Sequence, residues 1–187
     1  MLVAHLLCEC FWRAGVSQKA LQLIPCSGAT VGRRLVTHAD VDVVILTGGT
    51  DTALQMLKDK PDMHLLAETG GKNATIVTTL SDRDLAVKHV IHSAFSHGGQ
   101  KCSATSLLIL EEEVFNDAEF RRVLCDAIQS LDVGSAWNPK TRLGPLIRPP
   151  SGELETGLKE LEPGESWALM PHISEENPHL VNPGVKW

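Results

Sequence analysis

Three short stretches carry the residue types that could do chemistry. Cys102 follows the loop Gly98-Gly99-Gln100-Lys101 and is itself followed by Ser103. A thiol attacks as the thiolate, and a nearby cation or aligned backbone N–H groups raise the thiolate fraction. Lys101 is such a cation, although a lone thiol in a loop is also read as structural. Glu68 stands directly after the apolar run 63–67 and beside Gly70-Gly71-Lys72. A carboxylate there could act as a general base from a partly desolvated position. A solvated glutamate in a turn, with lysine as neighbour, is the competing reading. The third stretch, Thr47-Gly48-Gly49-Thr50, closes the apolar run 41–46 and opens a helix. Ligands bind at the carboxyl edge of open parallel sheets, where a helix N-terminus offers free N–H groups to a phosphate, and glycine lets the backbone come close. The stretch is not a full G-x-G-x-x-G fingerprint, and taken alone a plain strand-to-helix turn is the better explanation of it.

The elements that must position these residues alternate along the chain. Helix is expected over 2–14, a short strand over 21–25, a glycine-punctuated helix over 29–38, a strand over 41–46 and a helix from Thr50 through Lys58. Strands are expected at 63–67 and 74–78. Ser81 is expected to cap a helix through Phe95, with Asp82 and Asp84 in the first turn where the helix dipole favours acids. A strand over 106–110 and a helix over 117–131 come next. Apolar strands alternating with helices indicate a parallel sheet covered on both faces. Beyond Leu131 the chain turns Pro- and Gly-rich, which predicts loops around one short helix near 151–161.

Composition narrows the class. A hydrophobic share of 43% and a charged share of 21% over 187 residues fit an ordinary globular chain. A net charge of −6 argues against a nucleic-acid-binding surface. No apolar run approaches the roughly 20 residues needed to cross a bilayer, so no membrane insertion is expected. Five cysteines without framework spacing suggest a reducing, cytoplasmic setting. Cys8-Glu9-Cys10 lacks a second pair, and His89 and His92 lack a carboxylate or thiol on the same helix face. No metal site is expected.

Taken together, the Thr-Gly-Gly turn, Glu68-Thr69-Gly70-Gly71-Lys72-Asn73 and Gly99-Gln100-Lys101-Cys102 occur in an order and at a spacing that resemble the aldehyde dehydrogenase superfamily. The segment from Pro25-Cys26-Ser27-Gly28 to His38 is also similar, so the resemblance covers essentially the whole chain. Ser93-Ala94-Phe95 and the stretch around Cys102 look most like the glutamate-γ-semialdehyde (1-pyrroline-5-carboxylate) dehydrogenases. The stretches 144–152 and 162–167 look like the dehydrogenase module of bifunctional bacterial proline utilization A proteins.

That resemblance implies an α/β fold: a partial Rossmann-type parallel sheet joined to the first part of the catalytic α/β domain. Residues 1–67 would be the C-terminal half of an NAD-binding domain, and 68–187 the N-terminal part of the thiol-bearing domain. It implies that Cys102 attacks a semialdehyde carbon, that hydride passes to NAD, and that water activated by Glu68 hydrolyses the thioester to glutamate. The Cys102 N–H would contribute to the oxyanion site, with Ser103 near the substrate's amino-acid end. Thr47, Gly48 and Gly49 would approach the cofactor, and Thr69 and Gly70 its nicotinamide half. Gly49 stands where the superfamily often has Ser, and Ala53 where Gly is common. The expected partners are NAD, a small aldehyde and further copies of the chain in a homo-oligomer.

Several members of the family constellation have no candidate here: the upstream Asn of the oxyanion site, the upstream Lys on the adenosine ribose, and the downstream Glu on the nicotinamide ribose. The expectation is therefore an enzyme segment with little or no activity by itself. The rival expectation is a non-catalytic remnant whose open sheet edges serve association.

Overall fold

The computed structural model describes residues 1–187. The chain divides into two compact units, Met1–Gly70 and Gly71–Trp187.

In the first unit, α1 runs over Leu2–Arg13 and buries none of its residues. It is tied to the adjoining segment by Trp12, whose Nε1–H donates to the Leu21 carbonyl at 3.0 Å. Residues 21–25 form no strand. A strand needs a hydrogen-bonding neighbour, and this stretch pairs with no other segment of the chain. The expected helix over 29–38 is split. Gly28–Gly32 makes a wide i→i+5 turn, with Gly32 N–H donating to Ser27 C=O, and only then does α2 form over Arg33–Val36. The glycines at both ends supply the looseness that a regular helix start lacks.

Strand β1 (Val44–Gly48) pairs in parallel with β2 (Leu65–Thr69), and α3 (Thr50–Asp59) is the crossover between them. The Arg33 guanidinium grips the Asp59 carboxylate through two 2.6 Å contacts, fastening α2 to the end of α3. The buried apolar residues here are Val44, Ala53 and Met63. Ile45 and Leu66 stay exposed, so the pair is not covered on both faces as the apolar runs predict. Two strands with one crossover helix have only one covered face.

The second unit holds the main core. Strand β3 (Asn73–Val77) pairs in parallel with β4 (Thr105–Leu110), with α4 (Arg83–Phe95) as crossover. After a short α5 (Glu112–Phe115), α6 (Ala118–Gln129) returns across it. Val77, Val87, Val90, Val114, Phe120, Leu124 and Ile128 form one buried cluster. Phe120, Leu124 and Ile128 recur at four-residue spacing, which makes one apolar stripe of α6. Asp117 caps α6, accepting from the N–H groups of Glu119 and Phe120. Helix α4 is capped by Asp82, which accepts from Leu85 N–H at 2.9 Å, and not by Ser81. The Ser81 hydroxyl instead accepts from Thr78 N–H in the turn before the helix.

The Pro- and Gly-rich tail is more ordered than its composition predicts. Besides α7 (Glu153–Lys159) it holds β5 (Trp167–Leu169), β6 (His172–Ile173), β7 (Val181–Asn182) and β8 (Val185–Lys186). These pair antiparallel as β5–β8 and β6–β7. Trp187 stacks on Phe115 at 5.2 Å and lies under the Arg121 guanidinium at 4.4 Å, anchoring the tail to the core. No helix is long and apolar enough to cross a membrane.

Candidate active site

Strand β1 ends in Thr47-Gly48 and strand β2 in Glu68-Thr69, and the parallel register sets Thr47 opposite Glu68 and Gly48 opposite Thr69. Four of the expected site residues therefore share the carboxyl edge of one strand pair. Gly49 and Gly70 come at once after them, as the N-cap of α3 and the end of the unit. No side chain caps α3, so the N–H groups of Thr50 and Asp51 are unclaimed by a side chain, while Thr52 N–H donates to the Gly49 carbonyl. A Cβ built on Gly49 would meet only Thr52 Oγ1, at 3.9 Å, and one on Gly70 would meet nothing within 4 Å. Neither glycine is demanded by this unit's own packing, which leaves the backbone open to close approach from outside. Ala53 is buried one turn into α3, filling space against the strands. Asp51 in the first turn works against a bound anion. Glu68 is exposed, whereas its position after an apolar run suggests partial desolvation. Its neighbours Leu66 and Ala67 are exposed as well, so nothing in this unit shields it.

Cys102 lies in the second unit, at the amino end of β4. Helix α4 gives way at Ser96 to His97, Gly98 and Gly99, all with positive φ (56°, 63° and 70°). Glycine tolerates this region and histidine does so at a cost. A Cβ on Gly99 would lie 3.0 Å from the Ala94 carbonyl oxygen. The chain then makes a tight turn, closed by Ala104 N–H donating to Lys101 C=O at 3.1 Å, with Cys102 and Ser103 at its corners. Lys101, Cys102 and Ser103 are all exposed, and Ala104 is buried as the strand begins. The thiol is thus accessible to a small electrophile. Cys125 is the opposite case: half-buried, with its Sγ–H aimed at the Ala168 carbonyl, and burial pushes its thiol pKa up.

The turn has neighbours that its own sequence does not announce. Asn73 Nδ2 donates to the Cys102 carbonyl at 2.6 Å and to the Ala104 carbonyl at 3.3 Å. Ser93 Oγ on α4 accepts from the backbone N–H and the hydroxyl of Thr105, and Thr105 Oγ1 lies 2.7 Å from Thr75 Oγ1. The one available signal was the placement of Asn73 straight after Gly70-Gly71-Lys72. His92 bonds Ser96 Oγ through Nδ1, and no group of three or more His, Cys, Asp or Glu is arranged to hold a metal ion.

Comparison with known proteins decides what these features belong to. The profile of the aldehyde dehydrogenase family matches residues 1–173. The chain belongs to the aldehyde dehydrogenase family. Among curated aldehyde dehydrogenases, the 1-pyrroline-5-carboxylate dehydrogenase of Geobacillus kaustophilus is 34% identical over 154 residues, which is 78% of this chain and 30% of that enzyme. The betaine aldehyde dehydrogenase of Bacillus subtilis is 33% identical over 179 residues, covering 90% of this chain and 35% of that one. Proline Utilization A from Corynebacterium freiburgense superposes with a TM-score of 0.92 at 43% identity, over 98% of this chain and 19% of that one. The NAD+ complex of Staphylococcus aureus betaine aldehyde dehydrogenase superposes with a TM-score of 0.82 at 25% identity, over 95% and 37%. The chain therefore spans between 19% and 37% of the length of these aldehyde dehydrogenases, with the same mixed α/β arrangement and small parallel sheets over the shared part.

Proposed function

We propose that this chain is part of an NAD-dependent glutamate-γ-semialdehyde (1-pyrroline-5-carboxylate) dehydrogenase, with Cys102 as nucleophile and Glu68 as general base. The observation that carries the reading is the strand register that puts Thr47-Gly48 beside Glu68-Thr69 at one carboxyl edge. Its support is the likeness to 1-pyrroline-5-carboxylate dehydrogenase and Proline Utilization A. Residues 1–67 form the C-terminal half of the NAD-binding domain, and 68–187 the beginning of the catalytic domain.

The residues present fit a dinucleotide: an uncapped helix N-terminus after β1, with open space over Gly49 and Gly70. Thr47, Gly48 and Gly49 would hold the pyrophosphate side, and Thr69 and Gly70 the nicotinamide side. When bound, NAD accepts the hydride. Cys102 Sγ attacks the aldehyde carbon to give a thiohemiacetal, whose oxyanion is met by the Cys102 N–H. Hydride loss leaves a thioester on Cys102. Glu68 takes a proton from water, the water oxygen attacks the thioester carbon, and glutamate leaves as the thiol is restored. Ser103 lies at the substrate's amino-acid end. The enzyme works as a cytoplasmic homo-oligomer.

The isolated chain is expected to show little or no NAD reduction, because loss of one oxyanion donor alone costs on the order of 10²–10³ in rate. The roles are tested by grafting residues 1–187 into the matching span of the Corynebacterium freiburgense protein. Glu68→Gln in that graft should leave one rapid equivalent of NADH per site. Steady turnover should then be slower by on the order of 10²–10⁴-fold. Unchanged steady turnover would remove Glu68 from the mechanism.

A second reading is favoured by one observation: Ile45, Leu66, Ile76, Leu107 and Ile109 stay exposed on the strands. Such apolar faces suit a non-catalytic association module. A discrete symmetric oligomer of the isolated chain with an unreactive Cys102, seen by sedimentation and alkylation, would favour that reading.

A further inference from the structure

We propose that Asn73 is a positioning residue for the Cys102 thiol, its side-chain amide holding the peptide that fixes the nucleophile's turn. This rests on the reading of Cys102 given above.

The turn has little stiffness of its own. It is closed by a single backbone hydrogen bond, its three leading residues are exposed, and two glycines precede it in left-handed conformation. Glycine restricts the backbone least of all residues. The restraint comes instead from β3. Asn73 sends its amide N–H groups to the carbonyls of Cys102 and Ala104, which flank the outer corner of the turn. Both acceptors are carbonyl oxygens, so the amide orientation is fixed by chemistry: only the nitrogen side can face them. The bond closing the turn restrains the Lys101–Cys102 peptide, and the Asn73 bond restrains the Cys102–Ser103 peptide. The Cα that carries the thiol lies between two held peptide planes.

The strand register supports the same role. The β3–β4 pairing slips between Asn73 and Ala74, which lie opposite Thr105 and Leu107. Asn73 therefore sits where the regular ladder is interrupted, and its side chain bridges to the turn instead. Behind it, the Ser93, Thr105 and Thr75 hydroxyls hold the first residue of β4. An amide suits the place because two acceptors need two donors on one short arm. Aspartate has the same shape, but when ionised it would aim acceptors at two carbonyl oxygens.

The test uses the full 187-residue chain and NMR. In the wild type, the Asn73 side-chain NH2 should exchange with solvent on the order of tenfold more slowly than that of Asn138; equal exchange overturns the proposal. At pH 7.5, Asn73→Asp and Asn73→Ala should both shift the backbone signals of Cys102, Ser103 and Ala104 and lower their order, while Leu124 and Ile128 stay put. As pH falls through the titration of the introduced carboxyl, the aspartate variant should return toward wild type, because a protonated carboxyl regains one donor. Asn73→Ala has nothing to protonate and should show no return. Turn signals that ignore either substitution, or an aspartate variant without pH-dependent recovery, overturn the role. Those outcomes leave Cys102 as nucleophile untouched. Conversely, a Cys102→Ser graft that still turns over sinks the nucleophile and leaves this hydrogen bond standing.

Discussion

Cys102 meets solvent because the chain ahead of it turns left-handed for three residues. At Gly99 that conformation coincides with a carbonyl oxygen 3.0 Å from where a Cβ would lie. Gly99→Ala should therefore lower stability by roughly 1–2 kcal/mol from the backbone alone, with the Ala94 contact adding to it. Gly144 has open space and an ordinary φ, so Gly144→Ala should be neutral or slightly stabilising. Urea denaturation of the two variants checks this, and equal midpoints would mean that the left-handed loop is not rigidly held. The glycine pair announces a loop in the sequence, but nothing in it announces that His97 shares the left-handed conformation. That residue's φ is set by the path from α4 to β4, which is tertiary information. Glu68 shows the same limit: the residue type and its place after a strand are readable, whereas its exposure depends on what covers the strand.

Glu111 ties the end of β4 back to the turn after β3. Its carboxylate accepts from Thr79 N–H, and its own N–H donates to the Val77 carbonyl. The Thr79 bonds hold its carboxyl below the usual carboxylate range, with Arg83 contributing. A carboxyl with a depressed folded-state pKa stabilises the fold above its unfolded pKa, near about 4.3, and that contribution is lost as pH falls through the depressed value. Glu111→Gln should accordingly reduce stability at pH 7 and flatten its decline between neutral and acid pH. Denaturation midpoints measured across that range test it; parallel curves for wild type and variant would contradict it. Helix α6 is readable, because Asp117 with Phe120, Leu124 and Ile128 states both its start and its buried face, whereas the glycine-flanked stretch 29–38 is not. Strand pairing is less readable. Residues 21–25 have a strand's composition and no strand to pair with. Residues 167–186 have a loop's composition, yet they form short ladders because Trp167 and Trp187 give the tail something to pack.

Across the whole chain the two units differ in how far they support themselves. The second has a contiguous buried cluster, whereas the first buries Val44, Ala53 and Met63 and leaves α1 uncovered. The family was legible because three short motifs in a fixed order are more specific than any one of them. The arrangement of the cysteine turn was not, since Asn73 and Cys102 meet only through the pairing of β3 with β4. Under the proposed function, Cys102 is the thiol that carries the acyl group. The most direct measurement is NADH formation from glutamate γ-semialdehyde by grafts of residues 1–187 in the Corynebacterium freiburgense protein, comparing Cys102→Ser with Cys125→Ser. Activity abolished by the first and kept by the second is the predicted result; a Cys102→Ser graft that still turns over would contradict it.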